Sequence, residues 1–348
     1  MRTIKERLWR LRARLYRRSA RLFGSGERLS AIYYAFINNA FRRETLGVLS
    51  GQATYHARVK AIGASSWVLR RNTHRLEKGI IMRPRRDVFA RDYIDETVDN
   101  YLRLAALGGD AAIDPGELQW ARDVLTTYFS ITGSDPVIDR ARARFGGVPD
   151  DQDRGHAMVP YARIDAAKSA VSYEDFARLC RQRRSVRWYQ QRPVPRELID
   201  QAIDAAAQAP SACNRQPITF RVFDDPALVQ RIAAIPGGTA GFRQNFPAIV
   251  VIVGDLSAFF DERDRHLIYI DGSLSAMSFT LALETLGLSS CLINWPDTPS
   301  LERTMAQALG LQRWERVIML CSVGYADPDG MIPFSQKKLL DTFRSYNA

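Results

Sequence analysis

The spacing of hydrophobic positions changes character near the middle of the chain. In residues 1–23, Ile4, Leu8, Leu11, Leu15 and Leu22 recur at helical spacing, with Trp9 and Tyr16 on the flank and Arg at most other positions. This pattern predicts a basic amphipathic helix. Gly24-Ser25-Gly26 breaks it. A second helix is predicted beyond, with Leu29, Ile32, Tyr33, Phe36, Ile37 and Phe41 on one face. Helical periodicity continues through about residue 72 and returns across 90–107 and 117–131, with Gly108-Gly109, Asp114-Pro115 and Gly133-Ser134 as breaks. No alternating strand precedes residue 160, so this part is expected to be all-helical.

The stretch 146–160 (GGVPDDQDRGHAMVP) is rich in Gly, Pro and Asp, which suits a linker or long surface loop. After it, helical stretches at 174–183, 196–208, 226–234, 271–286 and 300–309 alternate with short runs suited to strands. Those runs are Thr219–Phe223, Ala248–Val253, Ser290–Ile293 and Val317–Val323. AIVVIVG is continuously apolar and β-branched, the mark of a strand covered on both faces. The predicted organisation is therefore a basic helix at 1–24, a helical region at 25–145, a linker at 146–164 and a domain of mixed helices and strands at 165–348.

Composition narrows the classes. Hydrophobic residues are 46% and charged residues 25% of 348, which excludes disordered, collagen-like and disulfide-framework chains. Cys180, Cys213, Cys291 and Cys321 form no CxxC pair and have no His at zinc-finger spacing, so four reduced thiols and a cytoplasmic location are expected. No run of 18 uncharged apolar residues reads as a membrane span, and residues 2–23 are interrupted by Arg throughout, unlike a signal peptide. The net charge of +11 is concentrated: residues 1–43 hold twelve Lys/Arg against Glu6 and Glu27, leaving the remainder near neutral. The high pI therefore describes an arm, and whole-protein nucleic-acid binding is not implied.

Two segments could carry chemistry. Arg183-Arg184-Ser185-Val186-Arg187 follows a predicted helix. Three guanidiniums and a hydroxyl can clamp a phosphate, or they can form a solvated basic turn. Ala209-Pro210-Ser211-Ala212-Cys213-Asn214-Arg215-Gln216-Pro217 lies between a helix and a strand. Its amide and hydroxyl groups, held between prolines, could bond the edge of a planar heterocycle, or serve an ordinary polar turn.

Taken together, with Pro193-Val194-Pro195 and a helix between them, these segments resemble the nitroreductase family of flavin-dependent oxidoreductases. The resemblance runs over residues 175–348 through RRSVRWY, PVPRELIDQAIDAAAQAPSACNRQP, AIVVIVG, DGSLSAMSFTLALETLGLSSC and VIMLCSVGYAD. It implies an α+β three-layer sandwich with a central, mostly antiparallel sheet, and a homodimer with FMN in a groove between subunits. Arg183 and Ser185 would hold the FMN phosphate, with Arg184 beside them. Arg187 would reach the phosphate-ribityl side or the flavin N1/O2 edge. Pro210, Ser211, Ala212 and Asn214 would line the isoalloxazine across the dimer. Asn294, in the stretch Cys291–Trp295, would stand where the family brings backbone amides to flavin N5 and O4. Lys337 or Lys338 would return to the phosphate. A cation near N1 would stabilise the charge of reduced flavin, and hydride delivery needs no acid–base side chain.

The chain departs from the family pattern at Ile218, where many members carry Trp. A further flavin-edge contact could be Thr239, Gly241 or Asn245. His56, His74, His156 and His266 show no ligand spacing, so no metal is expected. His74-Arg75-Leu76-Glu77-Lys78-Gly79, followed by Arg83, Arg85 and Arg86, is either a charged helix end and loop or a subsite for an anionic substrate or partner. The resemblance implies hydride passing from NADH or NADPH to an organic acceptor such as a nitro compound, a quinone or a dedicated biosynthetic substrate. The competing reading is a membrane-associated flavoprotein or flavin-less scaffold of the same fold, in surface-polysaccharide metabolism. The basic arm could pack on the dimer, lie on an anionic membrane surface or, less in keeping with its apolar stripe, bind nucleic acid.

Overall fold

The computed structural model describes residues 7, 18–60, 65–107, 113–147 and 157–347. Most of the basic arm, the Gly108-Gly109 break, His156 and the middle of the predicted linker lie outside the described residues.

Before residue 160 the described chain is helical or irregular. α1 (Glu27–Ile32) runs into a π-helical stretch, Tyr33–Ile37, and ends at Asn38, so Phe36 and Ile37 are left exposed. α2 (Arg42–Lys60), α3 (Trp67–Ile80), α4 (Ile94–Leu107), α5 (Pro115–Ile131) and α6 (Pro136–Phe145) follow. Asp114 and Asp135 cap α5 and α6, their carboxylates accepting from Gly116 N–H at 2.9 Å and Val137 N–H at 3.0 Å. Each is followed by Pro at the first helical turn, where the missing N–H has no partner to lose. Asp114-Pro115 is thus a helix start as well as a break. Leu69, Leu76, Val98, Leu125, Tyr128 and Ile138 from α3 to α6 close a core of their own.

The second half is built on four strands: β1 (Ile218–Phe223), β2 (Ala248–Asp255), β3 (Ser289–Asn294) and β4 (Glu315–Gly324). Their order is β1-β2-β4-β3 and every pairing is antiparallel. The two central strands are buried along almost their whole length, as the apolar run AIVVIVG predicts. On one face α9 (Pro226–Ala233) packs Val229 and Ile232 against Ile249, Val251 and Val253. On the other, α8 (Arg196–Ala207) and α10 (Leu267–Thr285) pack Ile199, Ala202, Phe279 and Leu283 against Ala248 and Val250. The result is the expected α+β three-layer sandwich behind a helical region. α7 (Tyr173–Gln182) precedes the sheet in sequence, and α11 (Pro299–Leu309) links β3 to β4.

Two glycines set how closely α10 lies on the sheet. A Cβ on Gly272 would stand 2.4 Å from Ile318 Cδ1, and one on Gly254 would stand 2.7 Å from Ile268 Cβ. The helical region is joined to this layer by α2, whose Val48 shares a buried cluster with Leu256, Phe259 and Ile268. Arg58 Nη1 donates to Ser257 Oγ at 2.7 Å beside it.

Candidate functional site

Ser172 caps α7 by accepting from Asp175 N–H at 3.1 Å, and the helix delivers Arg183 at its C-cap. The chain then runs alongside the edge strand β3: Ser185 bridges Ser290, and Val186 N–H donates to Ser290 O at 3.0 Å. This brings Arg183, Ser185 and Arg187 around Cys291. Burial pushes the Cys291 thiol up, against the opposing pull of Arg187, a hydrogen bond with Ser185, and Arg183. Arg187 lies 5.6 Å over the Phe242 ring. Arg184 turns back, donating to the Arg183 carbonyl at 3.1 Å. The Nε of Arg183 is buried and has no hydrogen-bond acceptor among the described residues. An orphaned guanidinium N–H beside a hydroxyl and a second guanidinium fits a phosphate group, which would satisfy it with a charge-assisted bond.

The second segment forms a strained loop between α8 and β1. Cys213, Asn214 and Gln216 all take positive φ, at 53°, 50° and 53°. Each non-glycine residue in that region costs on the order of 1–3 kcal/mol, so the surroundings must over-determine the loop. They do so through named bonds. Asp271 Oδ2 on α10 accepts Ala212 N–H at 3.0 Å, Ser211 Oγ accepts Gln216 N–H at 3.0 Å, and Gln216 Nε2 donates to Asn214 Oδ1 at 2.9 Å. From the helical half, Arg70 Nε donates to Asn214 O at 2.8 Å. Arg70 is itself held by Glu117 at 3.1 Å, a pair with little exposure on either side. Burial raises the Asp271 carboxyl above its ordinary range, opposed by the Ala212 N–H and by Arg215.

These two groups sit at opposite ends of α10. Asp271 anchors the loop in the second turn, whereas Arg183 acts electrostatically on Glu284 in the last, where Gln182 also bonds that carboxylate at 3.2 Å. Thirteen residues at about 1.5 Å each separate them by roughly 20 Å. The arginine cluster and the strained loop therefore stand apart along α10. Between them α10 exposes Ile270, Leu274 and Met277, an apolar stripe at helical spacing.

The other sequence candidates are dispersed. Asn294 is exposed at the end of β3, and Lys337 and Lys338 are exposed on the irregular segment before residue 340. Pro210 is exposed at the loop's entry. Thr239 donates to Ala233 O, and Asn245 Oδ1 accepts Tyr189 N–H at 2.9 Å, so both are occupied within the protein, while Gly241 is exposed. Ile218 packs with the buried group Ile252, Ala276 and Ile318. The segment His74–Gly79 is helical, because α3 runs to Ile80 and past the point at which the periodicity fades. His74 Nδ1 lies 3.7 Å from Glu77, whose other oxygen accepts Trp120 Nε1–H at 3.1 Å. All four cysteines are unbridged.

Sequence reasoning missed Asp271 and Arg70. A lone acid inside the apolar stretch LIYIDGSLSAM was a usable signal for Asp271. Nothing in the sequence around Arg70 pointed to a loop 144 residues away.

Comparison with known proteins bears on the family of the chain. The profile described as the Nitroreductase family matches residues 180–240 and 237–325. A protein of Methanothermobacter thermautotrophicus, provisionally named NADH dehydrogenase/NAD(P)H nitroreductase, is 31% identical over 47% of this chain and 76% of its own length. The chain belongs to the nitroreductase family. Iodotyrosine deiodinase of Haliscomenobacter hydrossis is 26% identical over 52% of this chain and 94% of its own. Iodotyrosine deiodinase 1 of Rattus norvegicus is 24% identical over 53% and 74%. Among solved structures, an FMN-dependent nitroreductase from Clostridium difficile aligns over 49% of this chain and 98% of its own, at 24% identity and a TM-score of 0.42.

Proposed function

We propose that this chain is an FMN-dependent oxidoreductase that draws reducing equivalents from NADH or NADPH and works as a homodimer. The observation that carries the reading is the orphaned Arg183 Nε in the Arg183–Ser185–Arg187 cluster, set roughly 20 Å along α10 from the strained loop. A two-fold partner packed on the Ile270, Leu274 and Met277 stripe would lay the loop of one copy beside the arginines of the other. The exposed Met331, Phe334 and Phe343 add apolar surface for the same contact.

Bound FMN would supply hydride transfer between the nicotinamide and an organic acceptor. The chain's own part is to hold and bias it. Arg183, Ser185 and Arg187 would neutralise and bond the phosphate side, with Arg184 and Lys337 or Lys338 as further cations. Pro210, Ser211, Ala212 and Asn214 would present a fixed polar edge to the ring system. Asn294 would stand at the end of the edge strand.

The test is the absorption spectrum of the purified protein. A flavin spectrum that bleaches anaerobically with NADH or NADPH is the expected result, and a colourless protein that fails to take up FMN would overturn the proposal. Sedimentation should give twice the 39.4 kDa chain mass; a flavin-loaded monomer would exclude the shared site.

The Arg70–Asn214 bond favours a dedicated acceptor over broad quinone or nitro reduction, since it ties the helical half to the loop that would face the flavin. Turnover of menadione and nitrofurazone compared with keto-sugars and iodotyrosines separates the two.

We further propose that the basic arm lies on an anionic membrane surface, from which a cytoplasmic, peripheral location would follow. No described helix is long and apolar enough to cross a membrane. Each Lys or Arg at such a surface contributes about 1 kcal/mol. The full chain should float with anionic vesicles and a chain starting after Gly24 should not; equal sedimentation of both would end this reading.

A further inference from the structure

Beside the strained loop, on its side toward the helical half, lies a cavity of about 430 Å³ between α3, residues 212–215 and residues 260–267. Its lining contains Arg71, Arg75, Arg215 and Arg263, with Asp264 as the sole acid among the described residues that line it. Ala212, Phe260 and Leu267 supply an apolar wall.

The four arginines are not equally committed. Arg71 is spent: it bonds Tyr55 Oη at 2.9 Å, Asn72 Oδ1 at 3.1 Å and Glu96 at 3.0 Å. Arg75 stacks on the Tyr93 ring at 3.6 Å and reaches Asn72 Oδ1 at 3.5 Å and Asp92 at 3.2 Å, but the ion pair is open to solvent and neutralises its charge weakly. Arg263 lies over the Phe260 ring at 5.7 Å and has Asp264 at 3.9 Å, and it is mostly exposed. Arg215 is the exception. It is 97% buried, from a relative exposure of 3%. Its Nε has no acceptor among the described residues, and its described contact is a stack on the Phe259 ring at 4.9 Å. Burial lowers its pKa and Arg71 adds to the effect, partly offset by Cys213, Tyr55 and Asp264. A guanidinium does not shed its proton in proteins, so the charge stays and wants an anion.

We propose that this cavity binds the anionic head group, phosphate or carboxylate, of a small molecule, with Arg215 as the buried contact and Arg75 and Arg263 closing from the rim. A cavity of this volume is in the range of small-molecule sites, and its apolar wall suits a ligand with an apolar body behind the charge. Because Arg215 follows Asn214 directly, occupancy of the cavity acts on the loop that would face the flavin. The site itself does not depend on the flavin reading.

The experiment is calorimetric titration of inorganic phosphate into the full chain, with FMN in excess and ionic strength balanced by chloride. Millimolar binding is expected, with Arg215→Gln raising Kd about tenfold or more, the loss of one charge-assisted bond. Arg183→Gln should leave it unchanged. Loss of binding in Arg183→Gln with retention in Arg215→Gln would assign the phosphate to the other cluster and overturn the proposal. If Arg215→Gln fails to fold, Arg263→Gln, altered at an exposed position, must weaken phosphate binding by itself; unchanged affinity there also overturns it. Benzoate in place of phosphate separates a carboxylate from a phosphate head group, and binding of neither refutes the site.

Discussion

The Asp271 carboxylate, in the second turn of α10, accepts the Ala212 backbone N–H at 3.0 Å and thereby pins the loop whose next residues adopt positive φ. Replacing it by Ala removes a charge-assisted hydrogen bond worth about 1.5–3 kcal/mol. FMN affinity, read by fluorescence quenching, should fall roughly tenfold to a hundredfold. Asp271→Asn keeps an acceptor oxygen and should recover most of the affinity. Equal loss in both variants would mean that charge, and not loop placement, is the role.

At the other end of α10, Arg183→Ala should weaken FMN by a similar factor of roughly ten to a hundred. Arg184→Ala, whose guanidinium turns back to a carbonyl, should have the smaller effect. Wild-type affinity in Arg183→Ala would remove it from the site. Mixing Arg183→Ala chains with Asp271→Ala chains should restore one intact site per mixed dimer.

Arg70→Ala leaves Glu117 buried without its cation, a change that typically costs about 3–5 kcal/mol. Denaturation in urea should show that loss. The double variant Arg70→Met/Glu117→Leu should recover stability while still lacking the bond to Asn214. Its FMN affinity and acceptor range then report how far the helical half governs the loop.

Burial pushes Tyr93 and Tyr128 up to about 12, from 10.0. The folded state holds these phenol protons longer than the unfolded state does, so their stabilisation is intact below pH 10 and is lost as pH rises toward 12. Each withdraws on the order of 2–3 kcal/mol over that interval. The helical half should therefore lose its circular dichroism between about pH 10 and 12, together with the tyrosinate absorbance change. Titration of both tyrosines at pH 10 with the helices intact would contradict their burial.

Apolar period and residue type alone determined a helical first half, a mixed second half, a doubly covered central strand, and the two segments that mark the family. These are local or near-local properties, set by which face of a helix or strand must leave water. The extent of α3 was not legible, because Asn72 and Thr73 look like surface residues yet are fully buried. Asn72 is tolerated there because its amide bonds Glu96 at 2.9 Å, a partner 24 residues away. Only the tertiary structure decided that the arginine cluster and the strained loop stand at opposite ends of α10, that Arg70 reaches the loop, and that Arg215 is buried with no acceptor for its Nε among the described residues. Each depends on how α10 and the helical half dock on the sheet, and a guanidinium in a sequence carries no mark of the acceptor it finds or lacks.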